Sequence, residues 1–157
     1  MTTLAFRRIT GKDARSFAAL RNADDTWNWF FSKRRFTEEE VRRWIASLDP
    51  DRDEVYMVEG GGMTVGTCSL YGIDRSKKSA EIGRIIVAAP FRRRGMGGIM
   101  LREMIGRGRS LGLELLHAGI MRENTASRRL FSKCGFVEAA GGSPGAVRYE
   151  LRAGGGR

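Results

Sequence analysis

The sequence predicts a mixed α/β fold, in the order β-α-α-β-β-β-α-β-α-β-β, with helices on both faces of one central sheet. Three observations carry that prediction. A hairpin-rich run of apolar alternation occupies the middle of the chain, two capped amphipathic helices precede it, and a basic glycine-rich loop after it opens onto a third helix. The 157 residues fit a single domain, placed at residues 1–153, with residues 154–157 as a flexible glycine tail.

The elements follow in order. Residues 4–9 read as the first strand, and Thr10 followed by Asp13 reads as a helix start leading into residues 14–21. An aromatic stretch comes next, with Trp27, Trp29, Phe30, Phe31 and Phe36. Thr37 with Glu40 three residues on is a capping box for a second helix, which carries Val41, Trp44, Ile45 and Leu48 on one face. Residues 54–59 alternate Val55 and Met57 against Tyr56 and Val58, Gly60 to Gly62 make a turn, and residues 64–73 resume as a strand. After a polar turn at 74–78, residues 80–87 form the third strand of an antiparallel meander.

Then the pattern changes. Residues 90–98 are a basic loop, and from Met96 apolar residues recur at helical spacing until Gly112. Gly106 and Gly108 lie inside that helix, each weakening it by about 1 kcal/mol against alanine, with no reason visible in the sequence. Residues 113–120 read as a buried strand, Asn124 as the N-cap of a helix over 125–134, Gly135 as its left-handed terminus, and residues 136–139 and 147–151 as the last strands.

Composition excludes several classes. No apolar run approaches the roughly 18 to 20 residues that span a bilayer, and no secretory leader is recognisable, so a cytoplasmic protein without a membrane partner is expected. The two cysteines, Cys68 and Cys134, and the lone His117 have no partners at metal spacing, so neither a metal site nor a disulfide is expected. The formal net charge of +10 invites an anionic partner, but the arginines are scattered among acids and no nucleic-acid motif is present. Nucleic acid is therefore not the expected partner. The dense acid-free cluster is Arg92-Arg93-Arg94.

That cluster begins the strongest motif, Arg92-Arg93-Arg94-Gly95-Met96-Gly97-Gly98, set between a buried strand and a helix start. A helix start offers unpaired N–H groups and the positive end of the helix dipole, and glycines let a phosphate approach them. The motif lacks the Gly-Lys-Ser/Thr of a Walker loop and the setting of a dinucleotide fingerprint. A pyrophosphate cradle for something other than ATP or NAD is expected.

With Ile85-Ile86-Val87 in the strand before it, this loop resembles the acetyl-CoA loop of the GNAT superfamily of acetyltransferases, Gln/Arg-x-x-Gly-x-Gly/Ala. A second segment is similar in register: Asn124, small residues at Ala126 and Ser127, Leu130, then Gly135-Phe136. The resemblance implies acetyl-CoA as cofactor, acetyl transfer to a primary amine by direct attack in a ternary complex, and a splay between the strands ending at Val87 and Ile120. Ile85, Ile86 and Val87 would pair with pantetheine like another strand. The amides of Arg94, Gly95, Met96, Gly97 and Gly98 would hold the pyrophosphate, with Arg92 and Arg93 adding charge or remaining surface residues. Asn124, Ser127 and Phe131 would border the pantetheine arm.

An alkylamine of pKa ~10 is mostly protonated at neutral pH, so a proton acceptor is needed. By resemblance that base is Glu81, with an exposed strand-end acid as the alternative. The general acid of the family is a tyrosine, and Phe131 stands there instead; water, Tyr71, Ser132 and Cys134 remain as donors. The same departure motivates an acetyl-CoA-binding sensor as an alternative.

Arg21-Asn22, Trp27-x-Trp29-Phe30-Phe31, Phe36-Thr37 and Trp44 look like the N-terminal region of family members that acetylate amino groups on nucleotide-linked sugars. Ribosomal-type protein N-terminal acetyltransferases carry a related region. Trp27, Trp29, Phe30, Phe31 and Tyr71 are accordingly the acceptor-site candidates, although the aromatic segment reads equally as closing the core. The resemblance also implies a homodimer.

Overall fold

The alternating side chains of the second strand face two different cores, and that double burial organises the molecule. In the computed structural model, which describes residues 3–154, the chain forms β1 (Ala5–Arg8), α1 (Ala14–Asn22), α2 (Glu38–Ser47), β2 (Glu54–Gly60), β3 (Met63–Asp74), β4 (Ser79–Val87) and α3 (Met96–Ser110). It continues with β5 (Leu115–Met121), α4 (Thr125–Lys133), β6 (Val137–Ala139) and β7 (Ala146–Arg152). The strands make one mixed sheet in the order β1-β2-β3-β4-β5-β7-β6, antiparallel except for β4 beside β5. The predicted order of elements is the observed one. Residues 155–157 of the expected tail lie outside the described residues.

Val55 and Met57 of β2 pack with Ala14, Phe17, Ala18 and Val41 of α1 and α2. Val58 belongs to the larger core on the opposite face, with Leu70, Ile82, Met100, Leu101, Met104, Leu116 and Phe131. The alternation read from the sequence, Val55 and Met57 against Tyr56 and Val58, is the observed one, and both of its faces are covered, as they are in strands with helices on either side.

Local chemistry sets the helix ends. Thr37 Oγ1 accepts from the Glu40 amide at 3.0 Å and Glu40 Oε1 from the Thr37 amide at 3.1 Å, closing the predicted capping box of α2. Asn124 Oδ1 caps α4 by accepting from the Ser127 amide at 3.2 Å, and Gly135 ends it at φ +97°. α1 begins at Ala14 as expected, after a 3-10 turn at Gly11–Asp13 in which the Asp13 carboxylate accepts from the Thr10 amide and is held by Arg7.

Gly108 is explained by packing: a Cβ there would lie 2.9 Å from Leu116 Cδ2, so glycine lets α3 close on β5. Nothing explains Gly106, whose Cβ would meet open space. Glu54, only 2% exposed, is held by Arg107 Nε at 2.7 Å, Arg8 at 3.0 Å and the Tyr56 hydroxyl at 2.6 Å. That buried cluster pins α3 to β2.

Candidate active site

β4 and β5 run side by side only briefly. Their register covers Ser79 with Leu115, Ala80 with Leu116 and Glu81 with His117, and beyond Glu81 the strands part. On its other edge β4 carries a β-bulge: Thr67 pairs with Ile86 and Ser69 with Gly83, leaving Arg84 and Ile85 opposite Cys68. Arg84 adopts φ +53° there, and a bulge bends the strand that bears it, which suits β4 turning away from β5. Into the gap opens a cavity of about 930 Å³, lined by both strands, α3, α4, α2 and the aromatic segment.

One end of the cavity is made of strand edge and helix start. Ile85, Ile86 and Val87 line it from β4, opposite Ala118, Gly119, Ile120 and Met121 of β5. α3 begins beside Val87 with Gly95 at φ +78° in the N-cap position, a left-handed conformation that glycine adopts without strain. No side chain caps this helix, so the amides of Met96, Gly97 and Gly98 face outward, free for a ligand. Gly97 also lines the cavity, where a Cβ would press to 3.3 Å from Leu130 Cδ2. Asn124, Ser127 and Phe131 complete the wall from α4. Phe131 is buried and packs edge-to-face on Phe136 with centroids 4.9 Å apart.

The arginine run divides. Arg93, at φ +61°, and Arg94 sit on the loop next to the uncapped helix start. Arg92, expected to add charge there, makes its bonds elsewhere. Its Nε donates to the Val87 carbonyl at 2.9 Å, and its terminal nitrogens reach Asp25 and Thr26. Arg92 therefore ties the aromatic segment to the end of β4. Its pairing holds the Asp25 carboxyl below the usual carboxylate range.

The other end is a side-chain chamber. Trp29, Phe30, Phe31, Phe36, Trp44, Tyr71 and Phe17 line it, together with Arg21, Arg34 and Arg84. Trp29 and Phe31 are 40% and 59% exposed, and Phe31 reaches toward Gly119 of β5, where a Cβ would be 3.7 Å away, whereas Phe36 packs against the smaller core. Trp27 departs from expectation: it is outside the cavity lining, under the Arg35 guanidinium at 5.0 Å. Asn22 fixes the far end of the segment, donating to the Phe36 carbonyl at 2.6 Å and accepting from its amide at 2.8 Å.

Glu81 does not line the cavity itself. Its Oε2 accepts at 2.8 Å from the hydroxyl of Tyr71, which does. Burial, reinforced by the nearby Glu81 charge, raises the tyrosine pKa, so the hydroxyl stays protonated. Neighbouring His117 has its pKa lowered by burial and by Arg148, so its imidazole is neutral at pH 7. Of the proton donors named from sequence, Tyr71 faces the cavity; Ser132 and Cys134 are not among its lining residues.

Sequence reasoning missed Arg84. Its signal was present, since Gly83-Arg84 interrupts an otherwise apolar strand.

A strand pair that parts beside a helix start with free amides defines the acyl-CoA transferase class of site. The Acetyltransferase (GNAT) domain model matches residues 3–137, and the chain belongs to that family. It is an acetyl-CoA-dependent N-acetyltransferase. No curated protein sequence matches it significantly. Among solved structures it is similar to spermidine N-acetyltransferase from Vibrio cholerae in complex with CoA and spermine, at TM-score 0.85 and 21% identity over 96% of this chain and 95% of that one. It is also similar to a domain from Methanocaldococcus jannaschii, at TM-score 0.86 and 20% identity over 97% and 99% of the two chains. A third likeness is yncA from Salmonella typhimurium with its cofactor acetyl-CoA, at TM-score 0.77 and 20% identity over 96% and 94%. These likenesses are of fold. Among the described residues no helix is long and apolar enough to cross a membrane.

Proposed function

We propose that the chain acetylates the primary amine of a small molecule, an amino sugar or nucleotide-linked amino sugar being the acceptor its chamber suits. The parting of β4 and β5 beside the uncapped start of α3 carries the reading. Acetyl-CoA supplies a thioester-activated acetyl group. The free edge of Ile85, Ile86 and Val87 orients the pantetheine amides, and an amide near Val87 hydrogen-bonds the acetyl oxygen. The amides of Arg94 to Gly98, with the charge of Arg93, hold the pyrophosphate.

On the acceptor side, Tyr71 takes the amine's proton as its hydroxyl passes its own to Glu81, which acts through the tyrosine; as the N–C bond forms the thioester C–S bond would break, and the departing thiolate would take its proton from water. Attack is direct, because neither cysteine is placed to carry the acetyl group: Cys68 is buried with its thiol pushed up to about 12, and Cys134 does not line the cavity. Aromatic faces suit a sugar or base, and arginines suit phosphate. A polycation such as the spermine of the Vibrio cholerae structure suits this chamber poorly, since the two lining carboxylates, Asp25 and Glu40, are paired with Arg92 and Arg34.

CoA thiol release on a panel of amino sugars, nucleotide amino sugars, aminoglycosides, polyamines and peptides tests the reading. Turnover confined to amino sugars or their nucleotides supports it, and turnover on N-terminal peptides selects a protein N-terminal acetyltransferase. Phe131 in the place of the usual tyrosine favours a second reading, an acetyl-CoA sensor, which saturable acetyl-CoA binding with no turnover on any amine would select. We assign the chain to the cytoplasm, where its two free cysteines stay reduced, and by family resemblance to a homodimer, which light scattering would test.

A further inference from the structure

Three of the guanidiniums lining the cavity, Arg21, Arg84 and the exposed Arg43, have no carboxylate within ion-pair distance among the described residues. Arg21, 7% exposed, donates to the carbonyls of Ser32 at 2.8 Å and Trp27 at 3.4 Å and stacks 3.8 Å from the Phe30 ring centroid. Arg84 sits 4.2 Å over the Tyr71 ring and 5.2 Å from that of Trp44. Its terminal NH1 is buried and has no hydrogen-bond partner. The chamber's Arg34 and Arg92, by contrast, are paired with Glu40 and Asp25.

Arg84 is costly to place there. Its backbone is held at φ +53° on the bulge, a region side chains other than glycine seldom occupy, and a buried N–H without an acceptor is destabilising. Burial lowers the proton affinity of Arg21, and the nearby charges of Arg34 and Arg84 lower it further. An anion in the chamber would offset the repulsion between the guanidiniums and, with a small turn of the Arg84 side chain, give NH1 an acceptor. The flat guanidinium lies against two aromatic rings, lines the cavity and makes no side-chain hydrogen bond among the described residues, so its remaining N–H groups are available to a carboxylate or phosphate.

We infer that Arg84 anchors an anionic group, carboxylate or phosphate, on the amine acceptor, with Arg21 adding positive charge. The inference rests on the N-acetyltransferase reading of the cavity. Tyr71 joins the two tasks, its ring carrying Arg84 and its hydroxyl bound to Glu81. An acceptor whose anion and amine are a few bonds apart spans the ring edge, with its amine at the hydroxyl.

The test compares kcat/KM for two matched pairs, an amino acid with its amide and an amino-sugar phosphate with the free amino sugar, in wild type, Arg84→Met and Arg84→Lys. The expected result is a preference of roughly 10- to 100-fold for the anionic member of one pair, carried mainly by KM. That pair tells carboxylate from phosphate. Arg84→Met brings the ratio toward one and Arg84→Lys restores part of it, with thermal midpoints confirming that the variants fold. A wild-type ratio near one in both pairs, or an equal loss on both members in Arg84→Met, overturns the anchor.

If no amine turns over, the acetyltransferase reading fails while the anchor is still decided by tryptophan fluorescence, since Trp29 and Trp44 line the cavity. Saturable quenching by an anionic member, absent with its neutral partner and lost in Arg84→Met, supports the anchor. Equal response to both members refutes it.

Discussion

The two ends of the cavity are built from different materials. At the cofactor end the working groups belong to the backbone: the free edge of Ile85, Ile86 and Val87 and the uncapped amides of Met96, Gly97 and Gly98. At the acceptor end they are side chains brought from α1, the aromatic segment, α2, β3 and β4, among them Arg21, Phe31, Trp44, Tyr71 and Arg84. Backbone sites depend on secondary structure and on glycine, whereas side-chain sites depend on where distant elements meet. The first should therefore tolerate side-chain exchange except at its glycines, and the second should change with single substitutions.

Variants on each side of that divide sharpen it. The largest effect is expected from Glu81→Gln, which removes the destination of the amine's proton: kcat falls about 10²- to 10⁴-fold while acetyl-CoA affinity, measured by calorimetry, stays as it was. Gly95→Val is expected to act on the other end. A β-branched side chain at φ +78° costs roughly 1–3 kcal/mol. If that cost falls on the cradle, the Kd for acetyl-CoA rises about tenfold or more with little change in acceptor KM.

Arg92→Gln tests the boundary between the ends. Its place in the arginine run predicts lost pyrophosphate affinity, but its bonds to Val87, Asp25 and Thr26 predict a looser acceptor wall. The expected outcome is an acceptor KM raised about three- to tenfold, as for one or two partly exposed hydrogen bonds, with acetyl-CoA affinity nearly unchanged. The smallest response is that of Cys68. Burial disfavours the thiolate and pushes its pKa to about 12, so at pH 8 only about one molecule in 10⁴ is nucleophilic. Peptide mass spectrometry after alkylation at pH 8 should find Cys68 unmodified, and a labelled Cys68 would reopen a covalent route.

How much was legible in the sequence follows the same divide. The order of elements could be read because caps such as Thr37 with Glu40 and Asn124 act within three residues. The cradle could be read because Gly95, Gly97 and the helix start are consecutive. Arg84, Tyr71 and Trp44 come from three separate elements, and no spacing along the chain announces that their side chains stack. The contacts of Arg92 were hidden for a related reason. Two arginines follow it in sequence, but two of its three partners in space, Asp25 and Thr26, lie more than sixty residues away. Similarly, the aromatic segment read equally as core or wall, and only the fold divides it, with Trp29 and Phe31 exposed at the cavity and Phe36 packed on the smaller core.

The most direct measurement is hydrogen–deuterium exchange with acetyl-CoA added first and the acceptor amine second. The division of the cavity predicts that acetyl-CoA alone slows exchange at residues 85–87 and 96–98 and leaves residues 25–36 as they were, and that the acceptor then protects residues 25–36. Protection of the aromatic segment by acetyl-CoA alone, or none at residues 85–87, would contradict it.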